Sequence, residues 1–297
     1  MKITILGTNG FLSDAIGYYF GLRDNIICTY GITPPQSYSI YSHARLDFSR
    51  EELNYIEVCD SDIIIYTVGA GIQSNLQEGN ELIYNLNVNC PVSICNSLRK
   101  YGYKGVFLTF GSYFERGKTD KTIPFTEDDI LFSRSEALND YTVSKRMLSR
   151  FVSCYQTTFT HWHFYLPTIY GYGENPNRLI PYTINSIRNG ESLHFTEGNQ
   201  VRQYVHVSEI PPIIEKAYIS HLPSGLYNIP GTDIMTVKQI VKVIHDYLKK
   251  EVPEDCFGKT NRADYGMNYL VLDGRKIESI IGSINYKIRL IDALRTY

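Results

Sequence analysis

The 297-residue sequence is poor in tryptophan, with one, and in methionine, with four, and neither charge is in surplus: 29 Lys and Arg face 31 Asp and Glu, a net charge of -2. A chain so nearly neutral sets up no field toward a polyanion, so neither nucleic acid nor an anionic membrane surface is an expected partner. No uninterrupted apolar run reaches the roughly 18 to 20 residues a membrane-spanning helix needs. The opening run from Met1 to Gly10 has no basic leader, extended apolar core or small-residue cleavage site, which points to a cytoplasmic protein without a secretory signal. Cys28, Cys59, Cys90, Cys95, Cys154 and Cys256 include no C-x-x-C pair and no histidine at zinc-ligand spacing, so reduced thiols and no metal centre are expected. What remains is the balance of a globular protein, 43% hydrophobic and 20% charged, with 22 glycines and 12 prolines spread along it. One surplus stands out, 25 tyrosines against 13 phenylalanines. A tyrosine packs like an apolar residue while its tip hydrogen-bonds, so the surplus suits half-wet packing, ligand binding or catalysis.

Strand-like runs at Ile3 to Leu6, Ile26 to Tyr30, Ile63 to Val68 and Val106 to Phe110 alternate with helix-like intervals at Leu12 to Phe20, Ser49 to Glu57 and Glu81 to Lys100. Continuous β-branched runs indicate strands buried on both faces, and their alternation with helices predicts βαβ units around a parallel, doubly wound sheet. A helix from Asp140 to Tyr155 and a strand from His161 to Thr168 follow. Pro167, Gly171, Gly173, Pro176 and Pro181 then punctuate the chain more densely. A dinucleotide-binding domain over residues 1–167 and a smaller mixed α/β substrate lobe over 168–297 are expected, with room for the segments to interleave. The lobe's helices are read at Ile180 to Arg188, Ser208 to Ser220 and Thr236 to Lys249.

Gly7-Thr8-Asn9-Gly10-Phe11-Leu12-Ser13 follows the first strand and opens the first helix. Glycines there let the backbone approach a pyrophosphate, which the amides at a helix N-terminus stabilise. A glycine pair alone also describes an ordinary strand-to-helix turn, and Ser13 occupies the place of a third glycine. A site for NAD often carries an acidic residue about 20 positions further on, against the ribose 2′-hydroxyl. Here the second strand ends Cys28-Thr29-Tyr30-Gly31 without one, which favours NADP(H) over NAD(H), with His43 or Arg45 as cationic partners. Tyr141 and Lys145 lie four apart on a predicted helix, hence on one face, where an ammonium would favour phenolate and draw the tyrosine down from its reference near 10. Ser112, just past the strand ending at Phe110, adds a hydroxyl at the carboxyl edge where open α/β sheets place ligands.

Gly7-x-x-Gly10-Phe11, Asp47-Phe48, Asn87-Val88-Asn89, Ser112 with Gly117, Tyr141-x-x-x-Lys145, Pro167-Thr168-Ile169-Tyr170-Gly171 and the run from Gly198 through Arg202 to Val207 occur in the order seen in extended short-chain dehydrogenase/reductases. The chain resembles these NAD(P)-dependent nucleotide-sugar epimerases, dehydratases and ketoreductases from the first strand to about Lys276. The resemblance implies a Rossmann fold with a sugar-nucleotide lobe, and a homodimer formed through the helices around Glu81 to Lys100 and Asp140 to Tyr155. It implies that Tyr141 is the acid/base, that Lys145 holds the nicotinamide ribose and tunes Tyr141, and that Ser112 orients the reacting oxygen. Gly7, Thr8, Asn9, Gly10, Phe11, Leu12, Tyr30, Asp47, Phe48, Val68, Gly69, Ala70, Asn87 and Pro167 would join Tyr141 and Lys145 around the cofactor. Tyr113, Thr168, Leu179 and Arg202 would join Ser112 around the substrate, Arg202 facing its diphosphate with the bidentate fork suited to that task. His206, in an apolar strand pattern, reads as structural.

Departures narrow the choice. Thr168 replaces an asparagine of the family's N-V-Y-G motif, Tyr165 replaces an arginine three residues earlier, and Tyr66 to Ala70 replaces a histidine-led segment. Tyr113-Phe114 stands where 4,6-dehydratases carry an Asp-Glu pair, so elimination of water lacks its acid and base. The expectation is an NADPH-dependent reductase of a 4-keto nucleotide sugar in deoxysugar or surface-polysaccharide biosynthesis. An NAD-dependent 4-epimerase using the same three residues is the close alternative, and a non-catalytic dinucleotide sensor is the alternative of another class.

Overall fold

The computed structural model describes residues 1–72, 76–253, 255–260 and 267–297. Its strands are β1 (Lys2–Leu6), β2 (Ile26–Gly31), β3 (Ser42–Arg45), β4 (Ile63–Tyr66), β5 (Val106–Ser112), β6 (Thr160–Leu166), β7 (Thr168–Tyr170), β8 (Val201–His206), β9 (Gly225–Asn228), β10 (Asp233–Thr236) and β11 (Tyr269–Leu270). The α-helices are α1 (Phe11–Gly21), α2 (Tyr55–Val58), α3 (Asn80–Tyr84), α4 (Cys90–Lys100), α5 (Glu127–Leu131), α6 (Asp140–Cys154), α7 (Leu179–Asn189), α8 (Ile210–Ile219), α9 (Val237–Leu248), α10 (Arg275–Ile281) and α11 (Leu290–Ala293).

A seven-stranded sheet in the order β3-β2-β1-β4-β5-β6-β9, parallel at every adjacent pair, makes this a Rossmann-type doubly wound α/β fold. Both faces of the sheet are covered, and the strand period shows it. Ile63 and Ile65 of β4 join a cluster with Ile3, Ile5 and Leu108, while Ile64 and Tyr66 point the other way to pack with Leu6, Ile94 and Phe107. A smaller mixed sheet sits in the C-terminal part: β8 pairs antiparallel with β10 and parallel with β7 and β11. The two sheets interleave in sequence, since β9 returns to the large one after β7 and β8 have joined the small one.

Most elements lie within a residue or two of their sequence expectations; three differ. The stretch read as one strand to Thr168 breaks at Pro167 into β6 and β7, because proline has no N–H for the ladder. The helix read over 49–57 survives only as α2. Ahead of it the Asp47 carboxylate accepts from Ser49 N and Oγ at 2.9 and 2.6 Å, and Glu51 accepts the Asp47 amide at 2.6 Å; these local bonds hold the backbone in a turn. The helix read from Glu81 to Lys100 runs the full distance, but with one wide π-helical turn, Asn85–Asn89, between α3 and α4. Wide turns of this kind cluster at functional sites, and this one carries Asn87.

Among the described residues Tyr30, Tyr66, Tyr103, Tyr113, Tyr165, Tyr170, Tyr204 and Tyr227 are buried, and most of the other tyrosines are half-buried. Tyr103, Tyr113, Tyr165, Tyr170 and Tyr227 are among the largest fully buried side chains. Several bond nearby carbonyls, Tyr103 that of Val106 at 2.9 Å and Tyr227 that of Pro223 at 2.9 Å. No helix among the described residues is long and apolar enough to cross a membrane.

Candidate active site

The order of the large sheet reverses at β1, with β2 on one side and β4 on the other, and such a reversal opens a crevice at the carboxyl ends of the strands. Gly7 sits there with φ +102, and a Cβ on it would lie 2.7 Å from Thr67 Oγ1 and 2.9 Å from Val68 Cγ2. Only glycine lets the turns after β1 and β4 close on each other like this. Gly10 caps α1 without a side chain over its first amides. Ser13, 1% exposed, folds its hydroxyl back to accept the Gly10 amide at 2.9 Å, so serine in the third glycine position is absorbed by the turn. Thr8 Oγ1 donates to Thr33 O at 2.7 Å and Asn9 Nδ2 to Thr33 Oγ1 at 2.8 Å, tying the turn to the chain beyond β2. Phe11 and Leu12 begin the helix. This glycine cradle before a bare helix N-terminus has the shape and dipole a pyrophosphate requires.

At the outer end of the crevice Tyr30 donates to Glu57 Oε2 at 3.1 Å, and Phe48 packs edge-on against Tyr66 at 6.0 Å. Phe48 helps line a cleft of about 330 Å³ with Ser49, Leu53, Asn85 and Asn89. The two cations expected near a 2′-phosphate are engaged elsewhere. Arg45 Nη1 binds both oxygens of Glu51, at 2.9 and 3.0 Å. His43 Nδ1 is bonded to Thr29 Oγ1 at 2.9 Å, and burial pulls the ring below its ordinary range.

Asn87, 1% exposed, holds the segment after β4. Its Oδ1 accepts from Ala70 N at 3.0 Å, and its Nδ2 donates to Ala70 O and to Ser144 Oγ, both at 2.9 Å. Every polar group of the amide is therefore engaged, and the Val68-Gly69-Ala70 backbone is fixed to α6, the helix that carries Tyr141 and Lys145.

Ser112, Tyr141 and Lys145 come together as the sequence suggested. The Ser112 hydroxyl neighbours the Tyr141 phenol and accepts from Phe114 N at 3.2 Å. Lys145 Nζ donates to Phe110 O at 2.9 Å and lies 5.9 Å from the Tyr141 ring centroid. One expectation is reversed. Burial holds the Tyr141 phenol above its ordinary value, only partly offset by the neighbouring Ser112 hydroxyl and the Arg178 charge. Lys145 lies over the ring face with its ammonium bound to a carbonyl, so it does not draw the phenol down to working pH. Tyr141 is consequently a protonated donor at neutral pH.

Around the lobe side, Tyr113 is fully buried and its hydroxyl bonds Thr168 Oγ1, joining the end of β5 to β7 just past Pro167. Leu179 opens α7. Arg202 is 5% exposed, with Nη1 donating to Val201 O at 3.0 Å and Met267 O at 2.6 Å. His206 accepts from Ser208 N and caps a short turn. Two residues that sequence reasoning passed over belong to this neighbourhood. Arg178, at the N-cap of α7, has its side chain 34% exposed beside the buried Glu174 at 3.3 Å, and its charge reaches Tyr113 and Tyr141. Glu115, 1% exposed, lies directly behind Ser112. The signal for Arg178 was a cation at a helix N-terminus, where the dipole disfavours it; that for Glu115 was the spacing Ser112-x-x-Glu115, which reads only as a capping box.

The architecture recurs in solved structures. MoeE5 in complex with UDP-glucuronic acid and NAD superposes with a TM-score of 0.81 at 18% identity, over 100% of this chain and 97% of that one. DesIV, the dTDP-glucose 4,6-dehydratase of Streptomyces venezuelae, gives 0.81 at 18% identity over 100% and 95%. The UDP-glucose 4-epimerase of Thermus thermophilus with NAD gives 0.79 at 14% over 100% and 97%. At such identities the likeness is one of fold. No curated protein matches the sequence significantly. The family model described as the NAD dependent epimerase/dehydratase family, however, matches residues 4–229, from within β1 to just past β9, and so takes in the glycine turn, the Asn87 clasp and the Ser112, Tyr141, Lys145 cluster: the chain belongs to the NAD dependent epimerase/dehydratase family.

Proposed function

We propose that this protein reduces the 4-keto group of a nucleotide-diphosphate sugar with NAD(P)H. The observation that carries the proposal is the meeting of Ser112, Tyr141 and Lys145 at the carboxyl edge of the sheet, with the Tyr141 phenol kept protonated by burial. A protonated phenol donates to a carbonyl oxygen as that carbon is reduced. Ser112 orients the same oxygen, and Lys145 holds the cofactor ribose from the neighbouring turn of α6. Gly7, Thr8, Asn9, Gly10, Phe11 and Leu12 would hold the pyrophosphate, Tyr30, Asp47 and Phe48 the adenosine end, and Val68, Gly69, Ala70, Asn87 and Pro167 the path between. A nicotinamide dinucleotide bound there supplies the hydride chemistry. Thr168, Tyr113 and Leu179 would shape the sugar side. Arg178, more open than Arg202, joins it as a cation for the diphosphate. Fold neighbours were seen with ligands of this class, MoeE5 with UDP-glucose and NAD and WbmG of Bordetella bronchiseptica with NAD and UDP. Tyr113 and Phe114 in place of a carboxylate pair argue against water elimination, and a homodimer through the helices of Asn80 to Lys100 and α6 remains part of the proposal.

A second reading, a 4-epimerase that retains NAD, is favoured by one observation. Arg45 is paired with Glu51 and His43 is held neutral, so the carboxyl end of β3 offers a 2′-phosphate a carboxylate beside the Arg45 cation. The same observation moves the cofactor preference toward NAD(H). Purified protein with NADH or NADPH and a panel of 4-keto nucleotide sugars, and in parallel with NAD and the corresponding 4-hydroxy nucleotide sugars, decides between them. Loss of reduced-nicotinamide absorbance in step with 4-keto sugar reduced supports the reductase; inversion at C4 of the 4-hydroxy sugars with no net change in nicotinamide absorbance, and no reduction of the 4-keto sugars, supports the epimerase and overturns the reductase.

A further inference from the structure

Behind Ser112 and Lys145 lies a carboxylate with no part in the chemistry just described. Glu115 Oε1 accepts the Ser112 amide at 2.8 Å and Oε2 accepts the Ser149 hydroxyl at 2.6 Å, while the Glu115 carbonyl accepts Arg146 Nε at 2.6 Å. Room for the carboxyl group exists because residue 111 is glycine: a Cβ there would lie 2.6 Å from Glu115 Oε1 and 2.5 Å from His163 Nε2.

Ser149 Oγ also contacts His163 Nε2 at 3.0 Å, His163 Nδ1 contacts Thr109 Oγ1 at 2.8 Å, and Thr109 Oγ1 contacts His161 Nε2 at 3.1 Å. The directions follow from counting protons. Ser149 has one hydroxyl proton and gives it to Glu115, so His163 donates from Nε2 and accepts at Nδ1. Thr109 then donates to His163, its alternative acceptor, Trp162 O, being 3.5 Å away; it accepts from Nε2 of His161. Both rings are neutral, their pKa values pushed down by burial. Every bond in the chain points toward Glu115, and such a chain stabilises a negative charge at its end.

We infer that Glu115 is a positioning residue of the reaction centre: held ionised by the Ser112 amide and by the chain from His161 through Ser149, it keeps Lys145 charged and fixes the backbone of Ser112. The inference rests on Ser112, Tyr141 and Lys145 being that centre. The charged and titratable groups around Glu115 are Tyr141, Lys145 and Arg146 from α6 and His163 and Tyr165 from β6. Lys145 in turn faces Glu115 and His163. Lys145 Nζ is bonded to Phe110 O and Glu115 Oε1 to Ser112 N, two residues further along β5, so the two groups are neighbours without a direct bond; burial pushes Glu115 up and Lys145 down, and each charge pulls the other back toward ionisation.

The test is a pH titration of the Lys145 ε-carbon by NMR in protein labelled at lysine, with Lys145→Arg identifying the signal, alongside pH profiles of kcat/KM. Glu115→Gln preserves an acceptor for Ser112 and removes the charge. It should lower the Lys145 midpoint by at least about one pH unit, move the alkaline limb of the profile the same way, and leave dinucleotide affinity within about twofold. Ser149→Ala, which deletes one bond to the carboxylate, should raise the Glu115 midpoint, followed by its side-chain carboxyl carbon, and carries the test if Glu115→Gln does not fold. Nitrogen NMR should find both His161 and His163 protonated at Nε2. A Lys145 midpoint unmoved by Glu115→Gln, or a Glu115 midpoint unmoved by Ser149→Ala, overturns the inference. Absence of turnover on nucleotide sugars in the unaltered protein would overturn the proposed function instead, and the NMR midpoints would still decide the Glu115 to Lys145 coupling.

Discussion

Asn87 and Ala70 are joined by two hydrogen bonds of opposite sense, Ala70 N to Asn87 Oδ1 at 3.0 Å and Asn87 Nδ2 to Ala70 O at 2.9 Å. The pair copies a strand ladder where no strand exists. Its third bond, to Ser144, makes the turn after β4 and the helix bearing Tyr141 and Lys145 one rigid unit.

Asn87→Ala should therefore act on stability and binding together. Two buried backbone groups of Ala70 lose their partners at about 1–3 kcal/mol each, so urea unfolding should show a loss of at least about 2 kcal/mol. Dinucleotide affinity, followed by fluorescence titration, should fall as well. Undiminished stability would contradict the clasp.

Gly7→Ala meets two obstacles, a φ of +102 and a Cβ 2.7 Å from Thr67 Oγ1. The strain alone costs about 1–3 kcal/mol, and opening the contact would widen the crevice between β1 and β4. Calorimetry should find dinucleotide binding abolished or weakened at least about tenfold, while Gly79→Ala, with nothing within 4 Å of its Cβ, should bind as the unaltered protein does.

His161 is buried and its pKa is pushed down to about 3. The folded protein keeps the ring neutral while the unfolded chain protonates it below about 6.5. The stability this contributes is present above pH 6.5 and is lost as pH falls, at about 1.4 kcal/mol per pH unit until the folded value is reached. The difference in unfolding free energy between the unaltered protein and His161→Gln should fall with that slope between pH 6.5 and 4.5. A flat difference would show that His161 is charged in the folded protein.

Much of this was legible in the chain. The unbroken β-branched runs at Ile3 to Leu6 and Ile63 to Tyr66 could only be strands covered on both sides, and Gly7, Ser112, Tyr141 and Lys145 stood at strand ends or on one helix face. Two kinds of feature were not legible. Asp47, Ser49 and Glu51 bond one another locally and cancel a helix that composition favours. Glu115, His161, His163 and Ser149 meet across β5, β6 and α6, and nothing in spacing along the chain foretells a network that needs Gly111 to make room for it. The charge of Lys145 was likewise read as tuning Tyr141 because both share a face, whereas the bond from Lys145 to the Phe110 carbonyl depends on where β5 ends.

The central claim, that Tyr141 is the proton donor at the sugar oxygen, is tested most directly by Tyr141→Phe, which keeps the ring and removes only the hydroxyl. Turnover of a 4-keto nucleotide sugar at saturating reduced dinucleotide should fall by about 100-fold to 10,000-fold, with dinucleotide affinity unchanged. Turnover within about threefold of the unaltered protein would contradict it.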